Sequence, residues 1–226
     1  MRTGDWSGRI FVAMLWLAGC GGNSVPVPVG GYGEDYRQIK FKDNVQSNDI
    51  GDQSIGDCVF TDINGNETSL HEYRGQKNVV LVVTRGYAGS VCLYCATQTS
   101  RLLTSYSQFS KRDTEVVVVF PIETSDDSRR HRDFVVSVKN KLDTPIEKIP
   151  FPIVLDVQLK VVDQLGIRKD LSKPATYILD KEGQTRFAYV GESLADRPSV
   201  KALIEQLDLL NREAAGATEA VGRGER

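Results

Sequence analysis

Two β-branched runs constrain this chain more than any other feature: 78–84 (NVVLVVT) and 115–120 (EVVVVF). A strand that is apolar at nearly every position has both faces covered, so each run belongs inside a sheet with layers above and below it. Between them, residues 92–111 contain neither glycine nor proline, and Leu93, Ala96, Leu102, Leu103, Tyr106 and Phe109 recur at roughly helical spacing. Two buried strands joined through a helix lie parallel, because a tight hairpin cannot make that connection.

The pattern extends in both directions. Residues 59–62 read as a strand leading into Asn64-Gly65, a strong turn dipeptide, and 69–73 as a short helical turn closed by Gly75. Pro121 stops the second buried run, and 128–142 is an amphipathic helix with Phe134, Val135 and Val138 inward. A short strand at 152–156 precedes a helix at 157–165 that Gly166 ends. Strands 175–180 and 184–190 flank Lys181-Glu182-Gly183 as a hairpin, and Arg197-Pro198 opens a last amphipathic helix running to about 211. This order predicts an α/β domain over 51–212, with a mixed central sheet, an antiparallel edge and helices on both faces. Residues 213–226 are small and polar and are expected to form a disordered tail. A hydrophobic fraction of 40% supplies one core. The 28 Lys and Arg against 30 Asp and Glu leave no positive excess, which excludes nucleic acid as a partner.

The amino end is a targeting segment. Arg2 and Arg9 precede an apolar run at 10–18 (IFVAMLWLA) that is too short to span a membrane, which makes 1–19 a signal peptide. Its ending, Leu17-Ala18-Gly19-Cys20, resembles a bacterial lipobox, in which the cysteine is lipidated and the leader removed. Asp5 is an unusual guest in such a leader. Residues 20–50, rich in Gly, Pro and Asn at their start, are expected to be a flexible tether. The protein would then work outside the cytoplasm, anchored through Cys20. Gly21 after that cysteine resembles sorting to the outer membrane in proteobacterial families.

Cys92 and Cys95 sit three apart where a buried strand ends and a helix begins. Helix-start amides and the helix dipole stabilise a thiolate there, and a second sulfur one turn along can form or open a disulfide. A zinc site would need further ligands, and His71, His131 and Cys58 stand at no suggestive spacing. Covalent haem attachment requires a histidine where Ala96 stands. A structural disulfide closing so short a loop would add little stability. No metal or other cofactor is expected. Cys58 reads as a buried small hydrophobe. Arg85 and Tyr87, in the loop ahead of the pair, are candidates to supply charge or a hydrogen bond to a thiolate. Glu123, just past the 115–120 strand, is a candidate proton acceptor.

The runs NVVLVVTRGYAGSVCLYCATQTSRL, KPATYILDKEGQTRFAYVG and DINGNETSLHEYRGQKNVVLVV resemble the thioredoxin-like superfamily over about 51–210. The likeness is to its alkyl-hydroperoxide-reductase/thiol-specific-antioxidant (AhpC/TSA, redoxin) branch and to membrane-tethered reductases of the thioredoxin type. It implies a thioredoxin-like fold and thiol chemistry. It also implies that Pro174, in Lys173-Pro174-Ala175-Thr176, is cis and faces the cysteines. Two departures bear on the activity. Peroxiredoxins place a Thr three residues before the reacting Cys and an Arg beside the late strand; here Cys92 takes the Thr place and Pro174 roughly the Arg place. Thioredoxin-type reductases usually have Trp before the first Cys, where this chain has Val91. The leading expectation is a thiol-disulfide oxidoreductase acting on protein thiols or disulfides, with Cys92 as nucleophile and Cys95 resolving. The alternatives are a thiol peroxidase acting on a hydroperoxide, and a non-catalytic tethered adaptor with a structural disulfide.

Overall fold

The computed structural model describes residues 35–49, 54–62, 65–124, 127 and 129–224. The leader, Cys20 and the first part of the expected tether lie outside the described residues. Seven strands form one sheet: β1 (Val59–Asp62), β2 (Glu67–Ser69), β3 (Asn78–Val83), β4 (Thr114–Ile122), β5 (Ile153–Val157), β6 (Ala175–Leu179) and β7 (Thr185–Val190). Their spatial order is β2-β1-β5-β4-β3-β6-β7. The centre, β5-β4-β3, is parallel, and β1, β6 and β7 pair antiparallel around it. This is the mixed sheet expected, with a short additional strand, β2, paired to β1.

Strand alternation splits the two β-branched runs between two cores. Val80, Val82, Val116 and Val118 face a cluster shared with α1 (Leu93–Thr104), α3 (Arg130–Lys139) and α5 (Val200–Gly224). Val79, Leu81, Val83, Val117 and Val119 face the other cluster, with Leu159, Val161 and Val162 around the short helix α4 (Lys160–Gln164). Cys92 and Cys95 belong to the first cluster and Cys58 to the second, so the sheet separates Cys58 from the pair.

Several expected boundaries move for local reasons. The helix expected over 92–111 breaks at Ser105 into α1 and α2 (Tyr106–Ser110). Thr97, Ser100 and Thr104 hydroxyls bond back to the carbonyls of Leu93, Thr97 and Ser100, which weakens the helical ladder near its end. Strand β4 runs through Pro121 to Ile122, since a proline late in a strand removes only its own donor. Helix α5 continues to Gly224 in place of the disordered tail expected from 213: alanine is the strongest helix former and recurs from Ala214 onward, and Arg186 pairs with Glu213 at 2.7 Å.

The expected tether also changes. Residues 35–49 lie along the domain, with Ile39 buried and Asn48 exchanging hydrogen bonds with Val190 of β7. No helix among the described residues is long and apolar enough to cross a membrane.

Candidate active site

The site is built where β3 ends, as expected for a sheet whose parallel strands present their carboxyl ends to a crevice. Cys92 is the N-cap of α1: its backbone is extended (φ −69°, ψ 115°) and its Sγ accepts the Cys95 amide at 3.3 Å. Cys95 lies in the first turn. The loop from β3 passes it at Arg85, whose backbone amide donates to the Cys95 Sγ at 3.4 Å. Gly86 makes that passage possible. Its φ is +80°, and a Cβ there would stand 2.4 Å from the Pro121 carbonyl oxygen, so the loop can press against the end of β4 only without a side chain.

The decisive group comes from the far end of the chain. Arg197, in the turn between β7 and α5, directs Nη2 to the Cys95 Sγ at 3.1 Å, Nη1 to the Gln98 Oε1 at 2.6 Å and Nε to the Leu194 carbonyl at 2.7 Å. Its side chain is 1% exposed. Gln98 and Leu194 are neutral acceptors, and no carboxylate among the described residues pairs with this guanidinium. A buried charge needs a partner, and here the partner is the sulfur.

The electrostatics of the pair follow from that contact. Burial pushes the Cys95 thiol up, but the hydrogen bond from Cys92, the Arg197 charge and the Arg85 amide outweigh it and bring Cys95 down to about 6. Cys92 moves the other way: donating its proton to Cys95, together with burial, raises it far above the ordinary thiol range. For the pair the direction is therefore toward charge on Cys95 and a proton on Cys92. Both are free and buried, Cys95 at 1% exposure and Cys92 at 4%.

Cys92 takes the expected helix-start amide, but the guanidinium contact falls on Cys95 and directs the charge there. The helix-start argument places a thiolate near the amide ends, but it does not see a guanidinium 102 residues away. In the sequence Arg197 stands out only as the opening of the last helix. In the fold it places a guanidinium on the Cys95 sulfur, where Pro174 offers none. No local pattern in the sequence marks Arg197 as a partner of the cysteines.

The other expected residues fall in different places. Arg85 serves through its backbone amide, its guanidinium pairing with Asp170 at 3.2 Å. Tyr87 packs on the cluster that holds both cysteines, with Arg130 4.5 Å over its ring. Glu123 is exposed at the end of β4, and no hydrogen bond among the described residues joins it to either cysteine. Pro174 is buried and trans, not cis: the described residues contain no cis peptide bond. It lines a cavity of about 150 Å³ together with Arg85, Lys173, Gly191 and Leu194. Arg85 touches Cys95 and Leu194 touches Arg197, so this cavity adjoins the site. Cys58 is buried, and that burial pushes its thiol up to about 11.

Residues 50–188 match the model of the AhpC/TSA family. No curated protein matches the chain. Among solved structures it is similar to the peroxiredoxin 6 of Arenicola marina, at 16% identity over 76% of each chain with a TM-score of 0.58. It is also similar to the peroxidoxin BcpB of Mycobacterium tuberculosis, at 18% identity over 73% of this chain and 98% of that one, TM-score 0.55. Peroxiredoxin Q of Xanthomonas campestris matches at 15% over 73% and 99%, TM-score 0.53. At such identities the likeness speaks for the fold.

Proposed function

The chain belongs to the AhpC/TSA family and is a thiol-dependent redox enzyme, and on that premise we propose that it is a thiol peroxidase in which Cys95 attacks a hydroperoxide and Cys92 resolves the product. The observation that carries this reading is the Arg197 guanidinium 3.1 Å from a sulfur that is 1% exposed. A thiolate held that deep is open to a small oxidant after slight local movement, whereas a disulfide on a protein surface would need far more room. The site therefore favours a hydroperoxide over the protein disulfide that is the leading expectation from the sequence.

The chemistry balances with the groups present. The Cys95 thiolate attacks the distal peroxide oxygen, the O–O bond breaks, and the leaving alkoxide or hydroxide takes a proton from solvent, giving Cys95 sulfenic acid. The Arg197 charge favours the anion before attack and the departing oxygen after it. Cys92, already hydrogen-bonded to Cys95, then displaces water from the sulfenic acid and closes the Cys92–Cys95 disulfide. Two external thiol equivalents restore the pair.

Stopped-flow measurement of the reduced full chain against hydrogen peroxide, beside turnover of a protein disulfide such as insulin, tests the reading. We expect fast peroxide consumption and slow disulfide reduction; the reverse ranking sinks the peroxidase and restores the oxidoreductase.

The same proposal includes an extracytoplasmic, lipid-anchored location, supported by the 1–19 leader and the Cys20 lipobox. In bacteria grown with labelled palmitate the chain is expected to take up label, and a Cys20→Ser chain is not; equal labelling of both removes the anchor.

A further inference from the structure

We propose that residues 39–48 brace the turn that carries Arg197, with Lys42 as the positioning residue that keeps the guanidinium on Cys95. The inference rests on Cys95 being the reacting thiol. Gln98 and the Leu194 carbonyl hold the Arg197 side chain as neutral acceptors, and its reach to Cys95 depends besides on the backbone that presents it. Lys42 grips that backbone on both sides: its N–H donates to the Arg197 carbonyl at 2.9 Å, and its carbonyl accepts the Ser199 N–H at 2.8 Å. Lys42 and Pro198 thereby form a parallel bridge.

The Lys42 side chain adds a second hold. Its Nζ reaches the Asp196 Oδ1 at 2.7 Å and the Tyr189 hydroxyl at 2.9 Å, and the Tyr189 hydroxyl donates to the same carboxylate oxygen at 2.7 Å. The other Asp196 oxygen accepts the Glu192 N–H at 3.0 Å, closing the turn from within. Asp196 is the residue immediately before Arg197, so the ammonium and the phenol lock one end of the turn. A Cβ at Gly191 would stand 2.1 Å from the Asp196 carbonyl oxygen, which shows how closely the turn is folded.

The brace also reaches the element that carries the cysteines. Arg101, on α1, donates to the Ile39 carbonyl at 2.6 Å and lies 5.0 Å over the Phe41 ring. At the other end Ser47 and Asn48 bond to β7 at Ala188 and Val190. One segment thus fixes α1, β7 and the Arg197 turn relative to one another. The segment and Arg197 both lie outside the 50–188 family match, on opposite sides of it.

The Lys42 ammonium is half-exposed, so its ion pair alone is a weak lock, and the paired backbone bonds are the firmer constraint. Two variants separate these contributions. Lys42→Met removes the ammonium; Lys42→Pro also removes the N–H that holds the Arg197 carbonyl. Each is made in the full chain carrying Cys92→Ser, beside Lys42→Arg and Arg197→Met. The readout is the pH midpoint of Cys95 alkylation by iodoacetamide, followed on the peptide that contains it.

Lys42→Met is expected to lower Cys95 reactivity at about pH 5 about threefold and Lys42→Pro about tenfold, one unit of midpoint being about a tenfold change in thiolate below it. Lys42→Arg restores it. If Arg197→Met raises the midpoint while Lys42→Met and Lys42→Pro leave it in place, the brace is wrong and the Cys95 reading stands. A lower melting temperature with an unmoved midpoint also overturns the brace, since a purely structural strap would behave that way. If Arg197→Met leaves the midpoint where it was, the Cys95 reading fails and takes the brace with it. Should Lys42→Pro not fold, the Lys42→Met shift and its recovery in Lys42→Arg decide alone, and no shift in Lys42→Met overturns the proposal.

Discussion

Replacing Cys95 by serine abolishes peroxide consumption, whereas replacing Cys92 by serine leaves the first oxidation intact and stalls the protein as a Cys95 sulfenic acid. The two sulfurs lie in one helix turn, yet only Cys95 touches the guanidinium. Cys95 accepts from Arg197 at 3.1 Å and from the Arg85 amide at 3.4 Å; Cys92 accepts the Cys95 amide and keeps its proton. A neutral thiol is a poor nucleophile, so the loss in Cys95→Ser is expected to exceed about a thousandfold in the second-order rate. In Cys92→Ser the serine hydroxyl still caps α1 and still donates to the thiolate, so the first step is expected to change by less than about tenfold. What disappears is the disulfide. Mass measurement after one equivalent of hydrogen peroxide checks this: one oxygen added on Cys95 in Cys92→Ser, and loss of two hydrogens in the parent. A parent-like rate in Cys95→Ser with oxidation appearing on Cys92 would reverse the assignment. Cys58 cannot substitute for either, because the sheet stands between it and the pair.

The difference between the two sulfurs is only half legible in the sequence. The runs 78–83 and 115–120 announce a buried parallel pair because nearly every position is apolar, and the structure pairs β3 with β4 residue for residue, from Asn78 with Thr114 to Val83 with Val119. The placement of two cysteines at the strand-to-helix junction is legible for the same reason, since both flanking elements have strong periodicity. The choice between the cysteines is not legible, because it depends on a contact spanning 102 residues through a turn that carries no periodic signal. Segment 35–49 is hidden in a different way. Its composition is polar and irregular, and it is held by hydrogen bonds to β7 and to the Arg197 turn, which leave no hydrophobic pattern. The tail departs in the opposite sense: four alanines at 214–220 favour the helix while Gly216, Gly222 and Gly224 oppose it, so small, polar composition resembles that of a disordered segment.

Arg197→Met raises the Cys95 midpoint by about two units, because the cation touching the sulfur is gone while its burial remains, and slows peroxide consumption at neutral pH by about a hundredfold, about tenfold from lost thiolate and about tenfold from the departing oxygen losing the same cation. The pH dependence of stability should change with it. The folded-state value of Cys95 lies below that of an ordinary thiol, at about 6 against 9.0, so the thiolate stabilises the reduced fold fully above about pH 9 and loses that contribution as pH falls through 6. Thermal unfolding of the reduced parent between pH 6 and 9 is expected to show this rise with pH, and Arg197→Met is expected to flatten it. Oxidation acts on the same contact. Closing the Cys92–Cys95 disulfide removes the anion and leaves a guanidinium at 1% exposure with only neutral acceptors, which penalises the oxidised state. The pair should therefore be a comparatively strong oxidant, and Arg197→Met should shift its potential to more negative values, by about 30 mV for each tenfold change in the equilibrium. A potential that stays put, together with an unflattened stability profile, would mean that the Arg197 charge is balanced by something other than Cys95.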